Sequence, residues 1–380
     1  MDTTHPRGRA ARPAVLAGLL FALVVLVPAP AGAHSLGGVE PSNYQSRVLA
    51  LRPAVPQLQV RVVDAGTRLQ LVNSGTRDVI VLGYQFEPYL RVGPGGAFEN
   101  TRSPAVYLAG QRRVDAPPPA TADPNAPPSW RRIGTGPSVA WHDHRAHWMG
   151  TQAPPAVQRA PGAVHEVIPS WTVKLRYGDQ LVDVVGDVRW LPGPSPLPWL
   201  VAAALLGAAV VAASRTAAWR AVLVAVTGMV VALDLLQAAG AWAGTQAPAA
   251  GKLLSVGVSV AGWLVAGLAI RQLLRRRLES GLFQLLLAAG LLTVVGGLGD
   301  LGFLLRSQLA SALPAWAVRA AVAGKVGLGV GAAVAAGLRL PQVLLGQAGG
   351  PRPGARDDRR PALASVTTLP TAYDDRPGGA

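Results

Sequence analysis

The sequence predicts a β-plus-membrane-α protein: an antiparallel β-sandwich outside the cytoplasm, followed by a bundle of five transmembrane helices. Three observations lead to this fold class. The first 33 residues have the organisation of a secretory signal, residues 34–195 alternate apolar and polar side chains like strands, and residues 196–340 contain long apolar runs with few charges. The chain therefore divides into a signal peptide (1–33), an external domain (34–195), a membrane domain (196–340) and a tail (341–380).

The signal peptide is indicated by charge and side-chain size. Arginines at 7, 9 and 12 precede an apolar core at 14–27, and Ala31-Gly32-Ala33 supplies the small residues of a cleavage site. Cleavage there makes His34 the mature N-terminus. If the segment is not cleaved, it becomes an N-terminal anchor and the next domain still lies outside.

Residues 34–195 read as a series of short strands. Leu58, Val60 and Val62 alternate with period two, and turn sequences such as Asn73-Ser-Gly75 separate the apolar runs. About seven strands without helical periodicity predict an antiparallel sandwich. The clearest runs are 58–62, 69–71, 78–84, 89–92, 138–142, 164–176 and 181–190.

Five apolar stretches follow, at about 198–214, 219–241, 253–270, 281–305 and 314–338, each near the length that crosses a bilayer. Arginines concentrate in the first and third connections and after the last stretch. Because positive charge marks the cytoplasmic side, the external domain is predicted outside and the C-terminus in the cytoplasm of a multi-pass cell-membrane protein. The tail at 341–380 is rich in Pro, Gly, Asp and Arg, which predicts disorder.

Composition excludes several classes. The net charge of +15 reflects arginines beside apolar segments, without a basic helix or a basic stretch interleaved with aromatics, so nucleic acid is not an expected partner. No cysteine is present, so a metal site would use His, carboxylate, Met or backbone ligands. The chain has no G-x-S-x-G, H-E-x-x-H or phosphate-loop motif, and we do not expect an enzyme.

Three of the six histidines fall within six residues, in the segment Trp141-His142-Asp143-His144-Arg145-Ala146-His147-Trp148-Met149. His142 and His144 would share one side of a strand, and His147 could fold back from a turn. Met149 adds a thioether, which favours copper, with zinc as the alternative. His34 could add its α-amine and ring if the N-terminus reaches the cluster. The predicted metal ligands are therefore His142, His144, His147, Met149 and His34.

Two other interpretations of this segment stay open. The histidines and Asp143 could form a buried hydrogen-bond network that stabilises the domain without metal. They could also form a pH-responsive patch, because imidazole titrates near neutrality.

Charged residues also occur inside the apolar stretches. Asp234, Asp300, Arg319 and Lys325 are costly in lipid, so we expect them to face the bundle interior and to pair. They would form either a proton or ion relay or a salt-bridged core without transport.

Several segments carry a resemblance: Ala33-His34-Ser35-Leu36-Gly37-Gly38, Glu87-Pro88-Tyr89-Leu90-Arg91-Val92 and the histidine segment. In these the chain resembles a group of uncharacterised actinobacterial membrane proteins. More loosely, its plan is similar to the CopC/CopD copper-resistance proteins, in which a secreted β domain that starts with His binds copper beside a multi-helix membrane partner. That resemblance implies an immunoglobulin-like or CopC-like sandwich, and a copper chaperone or cuproenzyme as partner. The apolar stretches contain no His, no Cys and only Met229, so the similarity does not extend to a copper path through the membrane.

Three functions follow as expectations. The first is a membrane-anchored external metal-binding protein that delivers, senses or sequesters copper. The second is a transporter, or a subunit of one, with a polar site inside the membrane. The third is a structural or interaction protein of the envelope with a histidine network and no metal.

Overall fold

The computed structural model describes residues 39–109, 117–246 and 249–348. The predicted signal peptide, His34 and residues 349–380 of the predicted tail lie outside these ranges, whereas residues 341–348, predicted to be disordered, belong to the last helix. The antiparallel β region and the helices that follow it are both present.

The β region contains ten strands among the described residues. They are β1 Tyr44–Arg52, β2 Leu58–Val63, β3 Arg68–Asn73, β4 Val79–Leu82, β5 Pro88–Gly93, β6 Gly96–Asn100, β7 Trp130–Gly134, β8 Ser138–His142, β9 His165–Tyr177 and β10 Gln180–Trp190. Two short helices, Pro104–Ala109 and Pro155–Arg159, lie between them.

The strands form two antiparallel sheets. The larger has the order β1-β10-β9-β4-β5-β6-β7 and the smaller has the order β2-β3-β8. One apolar core contains residues of both sheets, among them Leu69 and Leu71 of β3 and Val81, Val173 and Val184 of the larger sheet. Leu69 and Leu71, like Val173 and Leu175, are two positions apart and enter the same core, because successive side chains of a strand point to opposite faces.

Five apolar helices follow the sheets: α1 Leu197–Ala213, α2 Trp219–Gly244, α3 Ala249–Leu274, α4 Leu278–Ala289 and α5 Ala315–Ala348. Each overlaps one of the predicted apolar stretches. Within the described ranges, four segments are long and apolar enough to cross a membrane: Trp219–Gly244, Val256–Leu274, Leu278–Val295 and Ala315–Leu345. The helix α1 is apolar, but it has only 17 residues.

The fourth segment is irregular near its end. After α4 the backbone becomes π-helical over Gly290–Val295, returns to one α-turn at Gly296–Gly299, and breaks at Asp300 before the short helix Gly302–Leu305. A π-helical stretch leaves backbone groups out of the regular pattern, and such stretches are frequent at functional sites. This break places Asp300 against α5.

Hydrogen bonds join the β domain to the loops of the helical half. Ser42 and Gln308 exchange backbone hydrogen bonds of 3.1 and 2.8 Å. The amide of Gln246, just after α2, donates to the Asp64 carboxylate at 2.8 Å, and the amide of Ser307 donates to the Asn43 side chain at 2.9 Å. Three separate attachments therefore fix the β domain on this end of the bundle.

Candidate functional site

The histidine turn, residues 141–149, begins at the end of β8. The strand ends at His142, and His144–Ala146 forms a single 3₁₀ turn. The Asp143 carboxylate starts this turn by accepting a hydrogen bond from the Arg145 amide at 3.1 Å. His144 therefore does not follow His142 on a strand face, and the turn brings the histidines together instead.

Asp143 holds the turn against the domain. It is 2% exposed, and its carboxylate accepts hydrogen bonds from the Trp141 indole at 2.9 Å and from the Arg145 guanidinium at 2.8 Å. Arg145 also donates to the backbone carbonyls of Leu82 and Gly83 after β4. Burial opposes the charge of Asp143, but the bonds from Arg145 outweigh it and lower the pKa of this carboxyl. An ionised Asp143 therefore links the turn to both sheets.

The three imidazoles lie next to one another. The ring centres of His142 and His147 are 4.0 Å apart, those of His142 and His144 are 5.3 Å apart, and those of His144 and His147 are 5.8 Å apart. Imidazoles that share an ion at about 2.0–2.1 Å from each ligand nitrogen have ring centres roughly 5 Å apart. The two spacings that involve His144 are close to this value, and the spacing of His142 and His147 is shorter.

Hydrogen bonds fix the tautomers of two rings. Nδ1 of His142 lies 2.7 Å from the Thr67 carbonyl, and Nδ1 of His147 lies 2.8 Å from the Asp143 carbonyl. A carbonyl only accepts, so each Nδ1 carries hydrogen and each neutral ring keeps its lone pair on Nε2. Metal-binding histidines are held in this way. Nε2 of His142 is buried and has no hydrogen-bond partner among the described residues.

The surroundings keep these two rings neutral. Burial lowers the pKa of His147 to about 4, with the neighbouring His142 adding to the effect. Burial also lowers the pKa of His142, against the opposing effect of its bond to Thr67. Neutral imidazole is the form that binds a metal.

A cavity of about 310 Å³ opens beside the turn. His142, His147, Trp148 and Met149 line it, together with Ser42 and residues 65–67. Met149 thus lines the same cavity as the two neutral imidazoles. Within the three described ranges, no group of three or more His, Asp or Glu side chains could by itself hold a metal ion. A metal site in this cavity would therefore take its third ligand from Met149 or from a residue other than the described His, Asp and Glu.

The remaining histidines differ in position. The ring of His144 stacks on Tyr84, with ring centres 5.9 Å apart, and His144 does not line the cavity. His165 starts β9, and its Nε2 bonds the Ala160 carbonyl at 2.7 Å. His34 lies outside the described residues. It precedes the cavity-lining Ser42 by eight positions, which an extended chain spans with about 26 Å.

The intramembrane charges form an ion triad, defined as Asp234, Asp300 and Lys325. The Lys325 ammonium donates to Asp234 at 2.8 Å and to Asp300 at 2.7 Å, and all three side chains are 0% exposed. Trp263 of α3 donates to the second oxygen of Asp234 at 2.9 Å. Together with Trp263, the triad thus connects α2, α3 and α5 with the break after α4.

Arg319 does not belong to this triad. Its guanidinium donates to the backbone carbonyls of Phe303 and Arg306, at 3.1 and 2.9 Å, nearer the start of α5. Arg319 therefore binds the loop before α5, and Lys325 is the cation that pairs with Asp234 and Asp300.

The sequence did not predict two residues that contribute to these sites, Trp263 at the ion triad and Thr67 at the histidine turn. Trp263 looks like an ordinary apolar residue of a membrane helix, and Thr67 acts through its backbone carbonyl, for which a sequence carries no signal. Comparison of the chain with protein-family models, curated proteins and solved structures gives no match.

Proposed function

We propose that this chain is a membrane-anchored copper-binding protein whose site lies in the histidine turn. The Nε2 atoms of His142 and His147 are the first two ligands and the thioether of Met149 is the third. The observation that carries the proposal is the pair of Nδ1–H bonds to backbone carbonyls, which fixes the tautomer that keeps the lone pair on Nε2 in both neutral rings.

Ligand chemistry selects the metal. A thioether is a soft ligand that suits Cu(I), whereas Zn(II) is usually bound by four nitrogen, oxygen or thiolate ligands. Two imidazoles and one thioether therefore favour Cu(I) over Zn(II). An N-terminal His34 is a further ligand in this proposal, and it would raise the coordination number for Cu(II) or zinc.

In the proposed arrangement the copper site faces the outside of the cell. Five helices, including α1, cross the membrane, and the arginine-rich connections lie in the cytoplasm. The protein then delivers, senses or sequesters copper at the outer surface, in exchange with a copper chaperone or a cuproenzyme.

Anaerobic titration of the full-length chain in detergent tests the proposal. Cu(I) is added in competition with a coloured Cu(I) chelator, and Zn(II) is titrated separately. We expect the wild-type chain to bind one Cu(I). His142→Ala and His147→Ala should each weaken Cu(I) binding at least tenfold. Met149→Leu should lower the affinity for Cu(I) more than the affinity for Zn(II).

The matched control is His165→Ala, which removes an imidazole that bonds the Ala160 carbonyl and does not line the cavity. It should leave the Cu(I) affinity unchanged. A folded wild-type chain that does not retain Cu(I), or one whose binding is indifferent to both His142 and His147, would exclude this function.

A transporter, or a subunit of one, is a second candidate, and the ion triad is the observation that favours it. Charged side chains that are fully buried within membrane helices are expensive and usually serve transport or a relay. Asp234→Asn and Asp300→Asn should then abolish uptake into vesicles while the folded protein remains. If nothing is transported, these changes alter only stability.

The structural alternative relies on the Asp143 network alone. It predicts a folded domain that is free of copper and that His144→Ala unfolds, through loss of the stacking on Tyr84.

A further inference from the structure

A second cavity, of about 400 Å³, lies where the β domain meets the helices. Its walls come from residues 45–47 of β1, from residues 61–66 of β2 and the turn after it, and from the end of α2 and the loop before α5. It shares only Ala65 and Gly66 with the cavity beside the histidine turn. Cavities of roughly 300–1,000 Å³ are the usual size of small-molecule sites.

Arginines give this cavity an excess of positive charge. Arg61 lines it and donates from Nε to the Gln70 side chain at 2.6 Å, which is its one hydrogen bond among the described residues. Arg47 also lines it and pairs with Asp187, but Arg189 shares that carboxylate at 3.0 Å. Three guanidinium groups thus meet one carboxylate here. Guanidinium binds phosphate through paired hydrogen bonds, so the cavity suits an anion of that kind.

Two buried polar groups of the lining have no hydrogen-bond partner among the described residues, the hydroxyl of Ser46 and Oδ2 of Asp64. Their residues are 7% and 2% exposed. The other oxygen of Asp64 accepts from the Gln246 amide, and Arg68 lies 3.6 Å from Oδ2, which balances the charge but is too far for a hydrogen bond. A carboxylate oxygen only accepts, so Oδ2 requires a donor. A hydroxyl group of a ligand would supply it.

Tryptophans indicate that the cavity lies at the level of the lipid headgroups. Trp242 directly precedes the cavity-lining Ala243 near the end of α2, and Trp316 is the second residue of α5. The two side chains are 40% and 66% exposed. Tryptophan is enriched where membrane helices meet the headgroups, and basic pockets at that level bind lipid headgroups.

We propose that this cavity binds the phosphoglycerol headgroup of an anionic lipid, in the leaflet on the side of the β domain. Arg61 and Arg47 bind the phosphodiester, and the headgroup hydroxyls bond to Asp64 and Ser46. Choline carries no donor for Asp64, and neither choline nor ethanolamine headgroups carry the net negative charge that the arginines require. The site is independent of the copper site, because His142 and His147 do not line this cavity.

Native mass spectrometry of the delipidated full-length chain in detergent tests the proposal. Phosphatidylglycerol, phosphatidylcholine and phosphatidylethanolamine with identical acyl chains are added at equal concentration. We expect one phosphatidylglycerol per chain, retained at least fivefold over the other two lipids. Free glycerol phosphate is then added as a competitor. Displacement of the lipid would show that the headgroup alone is sufficient for binding, and no displacement would show that the lipid is the source.

Two variants should lose this preference while the protein stays folded. Arg61→Gln should reduce retention of phosphatidylglycerol to the level of phosphatidylcholine, and Ser46→Ala should weaken it about fivefold, as the loss of one hydrogen bond does. Arg131→Gln is the matched control, because it removes the same charge from an exposed pair with Glu99 and does not line the cavity. The melting temperature of each variant shows that it is folded.

Three results would overturn the proposal. The first is equal retention of the three lipids by the wild-type chain, and the second is an unchanged preference in both Arg61→Gln and Ser46→Ala. The third is an equal loss in Arg131→Gln, because total charge and not the cavity would then select the lipid. His142→Ala should keep the lipid preference while it loses copper, so this proposal and the copper proposal can fail separately.

Discussion

Asp143 is the single residue on which the geometry of the histidine turn depends most. Its carboxylate ties Trp141 and Arg145 together, and its backbone carbonyl holds the ring of His147. Removing it leaves a largely buried guanidinium without its counter-ion and an indole N–H without its acceptor, which costs more than the net worth of the bonds themselves.

We therefore expect Asp143→Ala to destabilise the β domain by on the order of 3 kcal/mol. The control is Asp183→Ala. The Asp183–Lys174 pair has the same 2.8 Å separation as Asp143–Arg145, but both of its side chains are more than a third exposed. Its loss should cost less than about 1 kcal/mol. Denaturant unfolding that reads the β-domain tryptophans measures both, and equal losses would contradict the role given to burial.

Acid should destabilise the domain through His147. Its pKa is lowered to about 4 in the folded state by burial, against about 6.5 in an unfolded chain. Because the folded state binds this proton less readily than the unfolded chain, the free energy of unfolding is unaffected by the ring above about pH 6.5. It falls by up to ~3 kcal/mol as the pH falls toward 4.

Thermal unfolding of the metal-free chain between pH 7.5 and pH 4 measures this loss. His147→Gln, which cannot become an imidazolium, should make the curve less steep over that window, and the remaining slope belongs to His142, whose pKa burial also lowers. The Asp143 carboxyl, with its lowered pKa, contributes only at lower pH, as its own protonation begins. A wild-type curve that is already flat between pH 6.5 and 4 would show that the ring of His147 is not buried as described.

At the scale of elements, the contact between α1 and α5 is made backbone to backbone. A Cβ at Gly331 would lie 2.7 Å from the Gly207 carbonyl, and one at Gly327 would clash with the carbonyl of Ala203. Small residues spaced four apart allow membrane helices to approach this closely.

Gly331→Ala and Gly327→Ala should therefore separate α1 from α5 and cost roughly 1–3 kcal/mol, as overpacking does. Gly337→Ala is the matched control, because it lies on the same helix and its Cβ would meet nothing within 4 Å. Thermal stability in detergent is the measurement. If all three variants have the same melting temperature, the close approach of α1 and α5 is wrong.

The elements themselves were predictable to different degrees. The four described segments that are long and apolar enough to cross a membrane each overlap a predicted stretch, because a run of Ala, Val and Leu of that length has few alternatives. Strands β1, β6 and β7 were missed. β1 and β7 are the two edge strands of the larger sheet and β6 lies next to β7, so the three strands contribute only Ala97 to the buried apolar residues of the described chain.

The sites were predictable only in their residue types. The histidines stood out by their density, but the 3₁₀ turn that gathers them depends on contacts of Arg145 with Leu82 and Gly83, more than 60 positions earlier. Lys325 pairs with Asp234 across 91 positions, and one sequence gives no measure of such proximity.

For the whole molecule, orientation in the membrane depends on α1. This helix has 17 residues and is about 26 Å long, slightly less than the roughly 30 Å of a bilayer core. If α1 crosses, the first loop, with Arg215 and Arg220, lies opposite the β domain. If α1 lies along the surface, that loop stays on the same side.

Single-cysteine labelling decides between these arrangements, because the chain has no cysteine of its own. Four exposed positions are substituted: Asp179→Cys between β9 and β10, Thr216→Cys after α1, Arg275→Cys after α3 and Ala312→Cys before α5. A membrane-impermeant maleimide is added to intact cells and then to permeabilised cells.

Positive charge favours the cytoplasm, so we expect Asp179→Cys and Ala312→Cys to be labelled from outside, and Thr216→Cys and Arg275→Cys only after permeabilisation. Labelling of Thr216→Cys in intact cells would mean that α1 does not cross. The β domain and Ala312 contact the same end of the bundle, through Ser42 and Gln308, so they must share a side whatever α1 does. Labelling that separates Asp179 from Ala312 would therefore refute the docking of the two halves. Labelling of Thr216 from outside would refute it as well, because α2 lies between Thr216 and Gln246, and Gln246 is bonded to Asp64 of the β domain.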